Sequence, residues 1–180
     1  MTMVVGIDPG QKCGIAVYED GEMRELFTVA PHELLGTLRL RLVAVMKREK
    51  ANVGANNHSP LMAVIYEDSR LQSFLWNARG KHQLGVALKA ARNVGMVDAI
   101  CAQIAGWCED EGVRYYGVSP KDKGAKLDAE AFKNITGWTA RSNQHERDAA
   151  LVAWPYRRIR AEKLAQDVRA ASFQQEVSDD

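Results

Sequence analysis

Residues 4–20 have the sequence VVGIDPGQKCGIAVYED, and this stretch indicates the fold. The apolar run at 3–7 predicts one buried strand, and residues 14–18 predict a second. The segment between them, DPGQKC, is rich in turn-forming residues and predicts a loop. Asp8 therefore stands where a buried strand ends. It either begins a turn with Pro9 or presents a carboxylate to a metal ion or a phosphate, and this segment alone leaves both open.

The bulk composition is that of an ordinary globular protein. The chain has 180 residues, of which 46% are hydrophobic and 26% are charged. We expect one domain over residues 1–170 and a frayed polar tail over 171–180. No apolar run is long enough to span a bilayer, and no apolar signal-peptide core opens the sequence. The three cysteines include no CxxC pair, so we expect neither a disulfide framework nor a zinc site, and we expect a reducing cytoplasm.

The distribution of charge is more informative than the net charge of +1. Residues 69–97 contain no Asp or Glu. The basic candidates for contact with nucleic acid in this stretch are Arg70, Arg79, Lys81, Lys89 and Arg92. So long a stretch without acids suggests a polyanion as partner, although a run of charge is commonly just a solvated face.

The remaining elements follow from apolar periodicity and turn signals. Asp20-Gly21 predicts a hairpin turn into a third strand. The later elements are a helix at 31–50, a buried strand at 61–66, a helix at about 83–111 with a weak point at NVG (93–95), a strand at 113–118, a helix at 128–135, and a last helix from 144 that breaks at Pro155. This order predicts an α/β domain with a mixed five-stranded central sheet, in which three antiparallel strands precede alternating strands and helices.

Two further acids stand at positions like that of Asp8. Glu67 and Asp68 directly follow the apolar strand LMAVIY. Strands that leave one sheet at the same edge would bring Asp8 and Glu67 together. Two close carboxylates repel and lose hydration, so their proximity requires a compensating cation. Asp68 could share such a cation, although alternation along the strand turns its side chain the other way.

The segment SNQHERDAALVAW contains the third acidic position. Asn143 suits a helix N-cap, and Glu146 completes a capping box, which gives Glu146 a structural role. His145 and Asp148 are three residues apart and share a helix face with Ala149. An Asp on the apolar side of a closely packed helix is costly unless it is paired.

Together these side chains are suited to one kind of metal site. Asp8, Glu67 and Asp148 offer hard oxygen ligands, and His145 offers a nitrogen that transition metals accept. This set favours Mg²⁺ or Mn²⁺ over zinc. Two such ions about 4 Å apart activate a water molecule and stabilise the leaving oxygen of a phosphodiester.

At these residues the sequence resembles the RuvC-type Holliday junction resolvases of the ribonuclease-H-like superfamily. GIDPGQKCGIAV is similar to the family's opening strand-turn-strand, VIYED to its second acidic strand end, and HERDAALVA to its last helix. The resemblance covers residues 4–153. It implies a ribonuclease-H-like fold and a homodimeric, Mg²⁺- or Mn²⁺-dependent endonuclease that nicks two strands of a four-way junction symmetrically. Carried over by position, the catalytic metal-binding residues are Asp8, Glu67, His145 and Asp148.

The sequence departs from the family pattern in its DNA contacts. Many members have an aromatic residue shortly after the second acid that wedges into the junction, whereas here Leu71 is nearest and Phe74 and Trp76 come later. Both aromatic residues are candidates for DNA contact, with anchoring in the core as the alternative. Lys123 and Lys126 resemble the family's basic segment loosely and are further candidates. The helical region at 83–107 is the expected dimer contact.

Three other functions remain open at this stage. The nearest is a ribonuclease-H-like nuclease with another substrate, such as RNA or flap or branched DNA. A junction-binding module without chemistry is the second, and the intact acid set argues against it. An actin-like or sugar-kinase-type ATP-binding domain is the third, and the length argues against two such domains. A bacterial and a phage origin are both open, and a phage-encoded member would act in the host cytoplasm.

Overall fold

A five-stranded mixed sheet forms the centre of the protein. The computed structural model describes residues 2–52, 61–71, 84–122, 124–159 and 163. The strands are β1 (Met3–Asp8), β2 (Cys13–Glu19), β3 (Glu22–Val29), β4 (Met62–Glu67) and β5 (Arg114–Val118). Their order is β3-β2-β1-β4-β5, with the first three antiparallel and with β1, β4 and β5 parallel. This confirms the predicted fold class.

Helices cover both faces of this sheet. They are α1 (Pro31–Asn52), α2 (Leu84–Asp110), α3 (Ala129–Thr136) and α4 (Gln144–Ala153), and a 3-10 turn at Trp154–Tyr156 ends α4 where Pro155 was predicted to break it. In the described part of the chain, no helix is long and apolar enough to cross a membrane.

The prediction of a weak point at residues 93–95 was wrong. Helix α2 continues through this segment without interruption. One glycine inside a helix costs only about 1 kcal/mol relative to alanine, which a helix of this length tolerates.

Strand alternation divides the core into two apolar layers. The odd-numbered residues of β1 pack with α1 and α2, and the even-numbered Val4 packs with α3 and α4. Every residue of β1 is buried, because this central strand is covered on both sides. The hairpin between β2 and β3 turns at Asp20 (φ 51°) and Gly21 (φ 87°), as the Asp-Gly pair predicted.

Helix α4 is fixed to the sheet at its C-terminal end by a buried hydrogen bond. The Tyr18 hydroxyl donates to the Ala150 carbonyl oxygen at 2.9 Å. In a regular α-helix the Ala150 carbonyl oxygen would accept from the Trp154 N–H. Here the Trp154 N–H donates to the Leu151 carbonyl oxygen, so the Tyr18 hydroxyl supplies the partner that Ala150 lacks within the helix. The bond links the end of α4 to β2.

Candidate active site

Two carboxylates emerge side by side at one edge of the sheet. Ile7 of β1 lies opposite Tyr66 of β4 in the parallel register, so the next residues, Asp8 and Glu67, end neighbouring strands at the same edge. Asp8 is buried, with 9% of its surface exposed, and Glu67 is half-buried.

Helix α4 reaches this edge because two glycines let it approach the sheet. A Cβ atom at Gly6 would lie 2.2 Å from the Ala149 carbonyl oxygen. A Cβ atom at Gly14 would lie 2.0 Å from the carbonyl oxygen of His145. Any side chain at either position would push the helix away, so β1 and β2 accept α4 only with glycine there. The first turn of α4 is thereby placed against the strand ends.

The close approach brings His145 into contact with Asp8. His145 Nδ1 and Asp8 Oδ2 are 2.8 Å apart, which is a hydrogen-bonding distance. The His145 side chain is half-exposed, whereas the Asp8 side chain is 12% exposed. Asp148, one turn further along α4, is 3% exposed, and its Oδ1 accepts a hydrogen bond from Gln144 Nε2 at 2.8 Å.

Glu146 has the structural role that the sequence predicted. Its backbone N–H donates to the Asn143 side chain at 3.1 Å, and its Oε2 accepts from the Asn143 N–H at 2.9 Å. This reciprocal capping box satisfies two helix-end donors and begins α4 at Gln144.

Asp68 belongs to a separate ion pair. Arg70 Nε and an Arg70 terminal nitrogen donate to its two carboxylate oxygens, each at 2.8 Å, and the Tyr66 hydroxyl donates at 3.3 Å. The Arg70 side chain lowers the pKa of Asp68 below its usual value, mainly through these hydrogen bonds. Gly117 of β5 makes room, because a Cβ atom there would lie 2.9 Å from Asp68. Arg70, a candidate for phosphate contact, is thus engaged by a neighbouring carboxylate.

The other basic candidates that the structure describes are exposed. Lys89 and Arg92 lie on α2, and Lys126 precedes α3. Gln11 Nε2 lies 3.5 Å from Asn93 Oδ1, which places the loop after Asp8 beside this part of α2. Leu71 is 54% exposed. The candidates outside the described residues are Phe74, Trp76, Arg79, Lys81 and Lys123.

The four predicted ligands suit a divalent cation by their chemistry. Among the residues described, no group of three or more His, Cys, Asp or Glu side chains is arranged to hold a metal ion. Asp8, Glu67 and Asp148 nevertheless offer hard oxygens of the kind that Mg²⁺ prefers. Asp8 and Asp148 are buried, and a bound cation would offset the cost of burying their charges.

Sequence reasoning missed the residues that support these candidate ligands. Gly6 and Gly14 stand inside strands, a placement that often marks close backbone approach. Gln144 and Asp148 have the i, i+4 spacing of helical neighbours, which is a weak signal by itself. No sequence pattern pointed to Arg147.

Comparison with solved structures matches this chain to RuvC of T. thermophilus in complex with a Holliday junction substrate. It is 21% identical to this chain, with a TM-score of 0.47, and the alignment covers 86% of this chain and 91% of that one. No family model matches the chain, and a search of curated proteins finds no match. The sheet order and its flanking helices define the class, an α/β protein with a mixed five-stranded sheet.

Proposed function

We propose that this protein is a metal-dependent, structure-selective endonuclease that resolves four-way DNA junctions by paired, symmetric nicks. The observation that carries the proposal is the meeting of β1, β4 and α4 at one edge of the sheet, with His145 2.8 Å from Asp8. Glu67 ends the neighbouring strand, and Asp148 lies buried one turn along α4. The choice of a four-way junction rests on the resemblance of the three acidic segments to RuvC-type resolvases.

Asp8, Glu67, His145 and Asp148 would hold Mg²⁺ or Mn²⁺, with two ions at each site. Bound there, the ions would activate water and stabilise the leaving oxygen of a phosphodiester. The side chains of the site differ in burial, and their proposed roles follow from this difference. Asp8 and Asp148 are buried, and each carboxylate makes a hydrogen bond with a side chain of α4, Asp8 with His145 and Asp148 with Gln144. His145 contacts Asp8 and is half-exposed, so part of its ring faces the solvent, where a phosphate would bind.

The exposed cations Lys89, Arg92 and Lys126 are proposed to contact DNA phosphates. Two copies of the chain are proposed to act together, since a four-way junction offers two equivalent scissile positions and a two-fold dimer places one site at each. The N-terminal half of α2 supports this proposal, because Leu88 and Val94 are 53% and 54% exposed there.

The first experiment compares wild type with Asp8→Asn on labelled four-way junction, duplex, flap and RNA–DNA hybrid, with and without Mg²⁺. We expect wild type to cleave the junction only with Mg²⁺. Asp8→Asn should abolish cleavage because it removes a charged ligand from the proposed metal site. Its junction binding in Ca²⁺ should stay equal or become tighter, because repulsion toward phosphate is reduced.

Asp110→Asn is the matched control, because Asp110 is an exposed residue at the end of α2. It should cleave like wild type. Near-wild-type cleavage by Asp8→Asn would refute the metal site. If wild type cleaves the flap or the hybrid faster than the four-way junction, that nucleic acid becomes the proposed substrate.

A further inference from the structure

Gln144, the first residue of α4, lies between two groups of opposite hydrogen-bonding character. Its Nε2 donates to Asp148 Oδ1 at 2.8 Å, and its Oε1 accepts from an Arg147 terminal nitrogen at 2.9 Å. A guanidinium only donates and an ionised carboxylate only accepts, whereas a side-chain amide does one at each end. The Gln144 amide therefore has a single orientation that satisfies both neighbours.

Arg147 is itself held by the main chain that precedes α4. Its Nε donates to the Leu127 carbonyl oxygen at 3.0 Å, and one terminal nitrogen donates to the Ser142 carbonyl oxygen at 2.8 Å. Its other terminal nitrogen is the one that bonds to Gln144. The planar guanidinium thus links two backbone carbonyls to the amide and holds the amide in place.

We propose that Gln144 and Arg147 are positioning residues that hold the Asp148 carboxylate in the orientation required for divalent cation binding. This inference rests on the proposed function, because it assigns Asp148 as a ligand. Hydrogen bonds to a ligating carboxylate from outside the metal's own shell fix its rotamer, and losing such a bond typically weakens metal affinity 10- to 100-fold. Asp148 is 3% exposed, so bulk water is a poor replacement for the lost amide.

The test is Gln144→Leu, which keeps a side chain of similar bulk without either polar group. Two quantities are measured: Mn²⁺ affinity by calorimetry on the protein without DNA, and the Mg²⁺ dependence of four-way junction cleavage. We expect the Mn²⁺ dissociation constant to rise about 10-fold or more. The half-saturating Mg²⁺ concentration should rise with it, while the rate at saturating Mg²⁺ changes less.

Glu146→Ala is the matched control in the same helical turn. It removes half of the capping box and leaves the bond from Gln144 to Asp148 untouched. It should lower the melting temperature and leave Mn²⁺ affinity unchanged. Arg147→Lys is the second variant, which keeps the charge but lacks the fork that holds Gln144. It should weaken Mn²⁺ binding in the same direction, and it tests the inference even if Gln144→Leu fails to fold.

The inference is overturned if Gln144→Leu and Arg147→Lys both bind Mn²⁺ like wild type. It is also overturned if Glu146→Ala weakens Mn²⁺ binding as much as Gln144→Leu and Arg147→Lys do. The weaker binding would then result from a general disturbance of the first turn of α4. These outcomes leave the proposed function intact as long as wild type binds Mn²⁺ and cleaves the junction. If wild type binds no Mn²⁺, both this inference and the proposed function are overturned.

Discussion

His145 is the residue at which the candidate site is open to solvent, and its contact with Asp8 joins α4 to β1. If His145 is a metal ligand, His145→Asp should keep substantial activity, because Mg²⁺ prefers oxygen to imidazole. His145→Ala should lose about 10- to 100-fold in rate, most clearly at low metal concentration. The measurement is junction cleavage by both variants across Mg²⁺ and Mn²⁺ titrations.

The same titrations distinguish two other roles for His145. A residue that only moves protons would be replaced poorly by Asp, which is already ionised at neutral pH. A plain helix-start residue would tolerate both substitutions. If Asp and Ala variants behave alike, His145 leaves the ligand set and Asp8, Glu67 and Asp148 remain.

Asp68 sets part of the dependence of stability on pH. Its folded-state pKa lies below its ordinary value because Arg70 binds the charged form. The pair therefore stabilises the fold above about pH 4, the usual pKa of an unfolded Asp, and this stabilisation is lost as the pH falls through the lower folded value. Asp68→Asn should lower the free energy of unfolding at pH 7 by about 2 kcal/mol and should flatten its decline in acid.

Urea denaturation at pH 7 and pH 3 checks this expectation. Asp122→Asn is the control, because Asp122 is exposed in the loop between β5 and α3. It should follow the wild-type profile. An Asp68→Asn variant that loses as much stability in acid as wild type would refute the role of the pair.

At the scale of elements, the contact of α4 with β1 and β2 depends on glycine. Gly14→Ala would put a Cβ atom 2.0 Å from the His145 carbonyl oxygen, and the obstacle is backbone that cannot rotate away. We expect a loss of about 2–3 kcal/mol in the free energy of unfolding, as overpacking typically costs. Displacement of the first turn of α4 should also abolish junction cleavage.

Gly36→Ala in α1 is the matched control. No atom lies within 4 Å of the Cβ position there, so alanine should stabilise the helix by up to about 1 kcal/mol. Both variants are compared by urea denaturation and cleavage assay. Equal stability of the two variants would show that α4 tolerates displacement from the sheet.

At the scale of the whole molecule, we expect a dimer that uses the N-terminal half of α2. Residues 91–95 are exposed, and a Cβ atom at Gly95 would meet no other atom within 4 Å. Leu88 and Val94 add exposed apolar surface to the same half of the helix. The side chains of Ala87 and Ala90, also expected in the contact, lie outside those described.

Light scattering at micromolar concentration tests this expectation. Wild type should have the mass of a dimer, and Leu88→Glu should shift it to a monomer because the charge would be buried in the contact. Leu40→Glu on α1 is the control, since Leu40 is 73% exposed on another helix. A wild-type monomer, alone and on a junction, would contradict the dimer. A dimer disrupted by Leu40→Glu instead would move the contact to α1.

The sequence by itself determined the elements of this fold and the acids at their ends. Apolar runs and the Asp-Gly turn predicted the strands of the sheet, and the Asn143–Glu146 capping box predicted where α4 begins. These features are local, because apolar runs, turns and caps depend on residues within a few positions of each other. Asp8 and Glu67 could be placed at one edge for the same reason, since each directly follows an apolar run.

Only the tertiary structure decided how the ends of these elements meet. His145 and Asp8 are 137 positions apart in the chain, and their contact depends on the absence of side chains at Gly6 and Gly14. The orientation of the Gln144 amide likewise depends on an arginine that donates to the Leu127 carbonyl oxygen, which lies in another segment of the chain. Distances of this kind are set by packing between elements remote in sequence, where a shift of one ångström makes or breaks a hydrogen bond.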